Sequence, residues 1–140
     1  MRVSRIIYQL FAWLFVAGVM TQVFFAGMTV VAGQWPWTNH ASLGHFLAAP
    51  LLVMLVTAYL GKLPGRMKRL TWLLFGVYVL QADVLIFLRT TVPVLSALHP
   101  VLALADFALG LALARQATAL VRASKASQLS TLQLESKAGD

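Results

Sequence analysis

Cysteine is absent from this 140-residue chain. That absence excludes disulfides, iron–sulfur clusters, thiol redox chemistry and a covalently attached c-type haem, and with them the thiol-dependent four-helix membrane oxidoreductases. Charge is scarce too: 11% of residues are charged, against about 25% in soluble domains, and 60% are hydrophobic, against about 45–50%. A chain so poor in charge cannot cover a water-facing surface, so its apolar residues must face lipid or one another. It reads as an integral membrane protein. There is no Gly-rich phosphate loop, no Ser/His/Asp set in workable positions and no metal cluster beyond the histidines. Soluble enzyme chemistry therefore has no foothold, and a carrier or accessory role is favoured over catalysis.

What the chain does have is long apolar runs. A hydrocarbon core of about 30 Å needs roughly 20 helical residues. Four segments qualify: about Ile6–Ala32, Ala41–Leu60, Leu70–Leu88, and 95–120. Gly33-Gln34-Trp35-Pro36 breaks the first, Asn39 or Ser42 can cap the second, Gly61-Lys62-Leu63-Pro64-Gly65 breaks it, and Pro93 turns into the fourth. The first segment is read as a retained helix, because its roughly 27 apolar residues exceed a signal-peptide core of about 7–15. No internal repeat is read. Residues 1–121 form the transmembrane domain; 122–140, through Gln128 and Glu135 to Asp140, form a polar tail expected to be disordered or a frayed helix.

The formal charge of +7 might suggest nucleic acid, but the basic residues fall in three groups beside the spans. Arg2 and Arg5 precede the first span, Lys62, Arg66, Lys68 and Arg69 fill the loop between the second and third, and Arg115, Arg122 and Lys125 close the fourth. The other two connections hold only Arg89. Positive residues stay on the cytoplasmic side. The expectation is an all-α, up-down-up-down four-helix bundle in the bacterial inner membrane, both termini cytoplasmic, with the lipid bilayer and other membrane helices as partners and no nucleic acid.

Ionisable groups inside spans are costly and each asks for a reason. Counting from the outer face, His45 lies roughly 9 Å deep and His99 roughly 7–8 Å. On parallel second and fourth helices the two meet at one depth, as axial ligands to a haem iron would. Gly44 precedes His45, and Ala41, Ala48 and Ala49 share its face; Ala103 stands one turn from His99, which Pro100 places in a first helical turn. Asp83, about 9 Å deep, can accept the second ring N–H of a ligand histidine, and Arg89 can pair with a haem propionate. Asp106 is expected near mid-membrane, neutral, with Gln22 in hydrogen-bond reach. His40, beside Trp35 and Trp37, is read as a packing residue, and Trp13, Trp72 and Tyr78 as packing or lipid-facing aromatics.

The stretches His40-Ala41-Ser42-Leu43-Gly44-His45, Val79-Leu80-Gln81-Ala82-Asp83 and Leu98-His99-Pro100-Val101, with the basic loop, resemble a family of small bacterial four-helix membrane proteins of unknown function. More distantly, the chain is similar to one four-helix half of the haem A synthase family. That resemblance implies haem b bound by histidines near the starts of the second and fourth helices, positions to which His45 and His99 correspond. Phe46 follows His45 where that family carries Arg, and Gln34 to His40 holds no acid, so the resemblance implies a haem scaffold without haem A synthesis.

Three functions compete. The first is a b-type haem protein serving electron transfer, or an accessory subunit of a respiratory or photosynthetic complex, reached by a quinol or periplasmic donor. The second is a cofactor-free subunit or homo-oligomer, or one ligating a chlorophyll-type pigment. The third is a small proton-coupled transporter using Asp83 or Asp106.

Overall fold

The computed structural model describes residues 1–33 and 35–138. Gln34, and the Gly139 and Asp140 end of the tail, lie outside them. Every element among the described residues is helical. The first, α1 (Arg2–Val30), has 29 residues, about 43 Å at helical rise and more than a bilayer core requires. Gly33, at φ +64°, turns the chain out of it. Pro36, extended, leads into α2 (Trp37–Phe46), so the second span opens one turn earlier than the apolar run suggests. Asn39 lies inside that first turn, its N–H bonded to the Pro36 carbonyl at 3.1 Å, and caps nothing.

Leu47 separates α2 from α3 (Ala48–Leu60). Pro50 explains the break: it has no N–H to donate to Phe46, and its ring crowds that carbonyl. At the end of α3 the Leu63 N–H bonds Ala58 O and the Lys62 N–H bonds Tyr59 O, both at 3.0 Å. This Schellman arrangement puts Lys62 at φ +48°, where glycine is usual, and buries Leu63 behind it. α4 (Gly65–Val79) runs into a π turn at Leu80–Val84 and then α5 (Leu85–Leu88), completing a 24-residue apolar span. A 3₁₀ segment, Pro93–Leu98, leads into α6 (His99–Ala138). α6 continues through the tail expected to be disordered or a frayed helix, and Arg2 Nη1 donates to Gln128 Oε1 across from α1.

The elements close a ring in which α1 packs on α3 and α6, and α4 on α3 and α6. On α1 the buried residues Tyr8, Ala12, Phe15 and Val19 recur at helical spacing along one stripe. They meet Leu51, Met54 and Ala58 of α3, Leu74 and Tyr78 of α4, and Leu113, Ala114 and Ala117 of α6. Outside the ring, large apolar side chains such as Leu10, Phe24, Val56, Leu73, Phe87 and Leu104 are exposed. Water would not tolerate so much apolar surface. Four helices are long and apolar enough to cross a membrane, consistent with a multi-pass membrane protein.

At one end of the ring Arg5 Nε donates to the Gly61 carbonyl at 2.9 Å and Nη1 to Ser124 Oγ at 3.3 Å. Deeper, Tyr8 and Thr71 share a buried hydroxyl–hydroxyl bond of 2.6 Å, and Thr71 Oγ1 donates to Met67 O at 2.8 Å. Tyr8 therefore donates and Thr71 relays. Thr71→Val strands the Tyr8 hydroxyl, whereas Tyr8→Phe leaves Thr71 bonded to its own helix. The expected cost of Thr71→Val is about 1 kcal/mol in detergent unfolding, larger than that of Tyr8→Phe, with the double variant costing less than the sum.

Candidate functional site

At the end of the ring opposite Arg5, four hydrogen bonds define a polar layer. His40, on the first turn of α2, has Nδ1 3.1 Å from the Gln22 carbonyl of α1. His99, the first residue of α6, has Nδ1 3.2 Å from the Gln81 carbonyl in the π turn. A carbonyl can only accept, so each Nδ1 carries a proton, and in the neutral ring Nε2 is the nitrogen that keeps a lone pair. The two imidazoles face each other, with ring centroids 6.0 Å apart and planes at 61°, and Trp37 stands edge-on to His40 at 5.6 Å. The π turn matters here, because widening the helical ladder turns backbone carbonyls away from their usual donors.

Asp106 lies two helical turns below His99 and is fully buried. Gln81 Nε2 donates to its Oδ2 at 2.7 Å. Gln22 was expected to be that partner; its amide lies instead against Gly44, where a Cβ would meet Gln22 Nε2. The Gly44 carbonyl accepts the Tyr78 hydroxyl at 2.7 Å. Gly44 thus serves close approach of two neighbouring helices.

The expected pairing of His45 with His99 is not the one the structure forms. His45 is exposed, its Nδ1 bonded at 2.8 Å to Ala41 O of its own helix, and it lines an open groove with Thr38, Ala41, Ser42 and Phe46. Five residues at about 100° each put it roughly 140° around the helix from His40, so the two cannot both face His99. Asp83 is exposed and makes no hydrogen bond or ion pair among the described residues; the second ring nitrogen of His99 goes to a main-chain carbonyl in its place. Arg89 is exposed at the end of α5.

Contacts within the chain relate its two halves. A shift of 59 residues carries Trp13 onto Trp72, Gln22 onto Gln81 and His40 onto His99. The same shift carries Tyr59 onto Thr118, and the contacts obey it. Trp13 Nε1 donates to Thr118 Oγ1 at 3.1 Å, and Trp72 Nε1 donates to the Tyr59 hydroxyl at 3.0 Å. Such reciprocal contacts, where i meets the partner's j and j meets the partner's i, are the signature of a two-fold. These contacts set two helical hairpins against one another, with His40 and His99 in corresponding places. His45 maps onto Leu104, an outward-facing residue 69% exposed. The signal available in the sequence was the 18-residue interval from Gln to His, present once in each half.

Apolar helices with a polar, histidine-bearing interior are the architecture of a small multi-pass membrane protein. Residues 22–91 match the family described as "Family of unknown function (DUF6220)". The match covers half of the chain, and the chain belongs to this family. No curated protein and no solved structure matches it.

Both tautomers are open to direct measurement. With ¹⁵N-labelled histidine, His40 and His99 are expected to show a protonated Nδ1; an unprotonated Nδ1 in either would contradict its carbonyl bond.

Proposed function

We propose that His40 and His99 are the axial ligands of a b-type haem held between the two hairpins, making the protein a small membrane electron carrier or an accessory subunit of a larger electron-transfer complex. The observation that carries this is the facing pair of imidazoles, each with Nδ1 anchored to a carbonyl and Nε2 free. Anchoring of the far nitrogen is how ligand histidines are held in orientation. No group of three or more His, Cys, Asp or Glu able to hold a metal ion occurs among the described residues. Two imidazoles alone do not complete the shell of a bare zinc or copper ion. They do suit a metal that brings its own equatorial ligands, as a porphyrin iron does.

A bis-histidine iron has no open position, so bound haem would supply one-electron transfer in preference to oxygen chemistry. The chain's own residues anchor the two rings through Gln22 and Gln81 and exclude lipid with Trp37. The spans are taken to alternate in direction. Basic residues cluster at the end where Arg5, Gly61 and Ser124 meet, so both termini are assigned to the cytoplasmic side of the bacterial inner membrane. The histidines then lie toward the outer face, within reach of a quinol or a periplasmic donor.

Protein purified from haem-replete cells is expected to show, on dithionite reduction, a sharpened Soret band with split α and β bands. His40→Ala and His99→Ala should each abolish this low-spin spectrum, and His45→Ala should leave it intact. A featureless visible spectrum would overturn the proposal in favour of a cofactor-free packing subunit, and a solvent-extractable chlorin would make the pair pigment ligands.

A further inference from the structure

The two hairpins differ most where a charge is concerned. The 59-residue shift carries Leu47 onto Asp106. In the first half this position is a buried leucine set against Gly18, whose own Cβ would collide with it. The fold therefore closes there with an apolar side chain, and the carboxyl in the second half is not required for packing.

We infer that Asp106, with the amide oxygens of Gln81 and Gln22, forms an intramembrane site for a monovalent cation, Na⁺ or a proton. Four buried side-chain polar atoms lack a partner among the described residues: Asp106 Oδ1, Gln81 Oε1, Gln22 Oε1 and Ser96 Oγ. The first three are oxygens of one layer. Gln81 reaches Asp106 directly, and Gln22 lies against Gly44, whose carbonyl holds Tyr78, a neighbour of Asp106. Buried polar atoms are normally satisfied, so an orphaned carboxyl oxygen with two orphaned amide oxygens in the same layer calls for a positive occupant or its hydration water.

No side chain supplies that charge. Asp106 has only the Gln81 amide as partner, and every Lys and Arg lies toward one end or the other of the spans. The titratable groups of the layer besides Asp106 are Tyr78 from α4, His99 from α6 itself, His40 from α2 and, on the exposed side of the π turn, Asp83; α1 contributes Gln22 and no titratable group. Two irregular stretches of backbone, the α2–α3 break at Leu47 and the π turn at Leu80–Val84, flank the layer. Interrupted helices at membrane depth are where carbonyls become available to Na⁺ or H⁺.

The site stands independently of the histidine pair, so a colourless protein would leave it in place. The test compares unfolding temperatures of the purified full-length protein in NaCl and in choline chloride. Na⁺ is expected to raise the midpoint by about 5 °C, and Asp106→Asn to abolish the rise. A hydrophobic carbodiimide, which adds to protonated carboxyls in apolar surroundings, gives a second reading on the unmutated protein and serves if Asp106→Asn does not fold. Labelling mapped to Asp106 and suppressed by NaCl identifies Na⁺ as occupant. Labelling indifferent to NaCl, with no thermal shift, identifies the proton. A Na⁺ shift that survives in Asp106→Asn, or the absence of both shift and labelling at Asp106, overturns the site.

Discussion

Two imidazole-to-carbonyl hydrogen bonds, His40 to Gln22 and His99 to Gln81, set the geometry on which the polar interior depends. Each ties the first turn of one helix to the body of its predecessor, and so fixes how the two arms of a hairpin meet. Each also determines which ring nitrogen is left over. In a bilayer no water competes for these groups, so a donor and acceptor placed this way stay engaged. With both Nδ1 atoms committed, the two Nε2 atoms are what the site can offer a ligand.

The two bonds span the same 18-residue interval, one in each hairpin. The reciprocal Trp13–Thr118 and Trp72–Tyr59 bonds sit on the outside of the ring, where they hold the hairpins in register. The half-buried histidines meet where the two hairpins adjoin. Departure from symmetry is concentrated in one place: Asp106 against Leu47, and with it a π turn on the Gln81 side against a regular α1 at Gln22. One glutamine is bound to a carboxylate and its counterpart is not.

The four spans were legible because apolar length and the placement of Lys and Arg follow directly from the solvent, and neither needs tertiary information. Depth and rotation were not legible: His99 meets His40, which stands five residues, about 7.5 Å of helical rise, from His45. A one-residue step turns a helix by about 100°, and the run from Trp37 to Phe46 has polar residues on more than one face. Choosing His45 over His40 therefore rested on counting alone. Gly44 and Ala41, read as room for a planar guest, prove to serve a glutamine contact and an open groove. Asp83, at the right depth, turns outward where the π turn rotates it off the inner face. The 59-residue relation was present throughout but rests on few identical residues, since lipid-facing positions accept almost any apolar side chain.

The central claim is that His40, and not His45, opposes His99. Because the chain has no cysteine of its own, a thiol reagent that fluoresces only on bridging two nearby thiols tests it directly. The His40→Cys/His99→Cys double variant, treated in membranes, should become fluorescent within a single chain, while His45→Cys/His99→Cys should stay dark. Fluorescence from the second variant and none from the first would contradict the account.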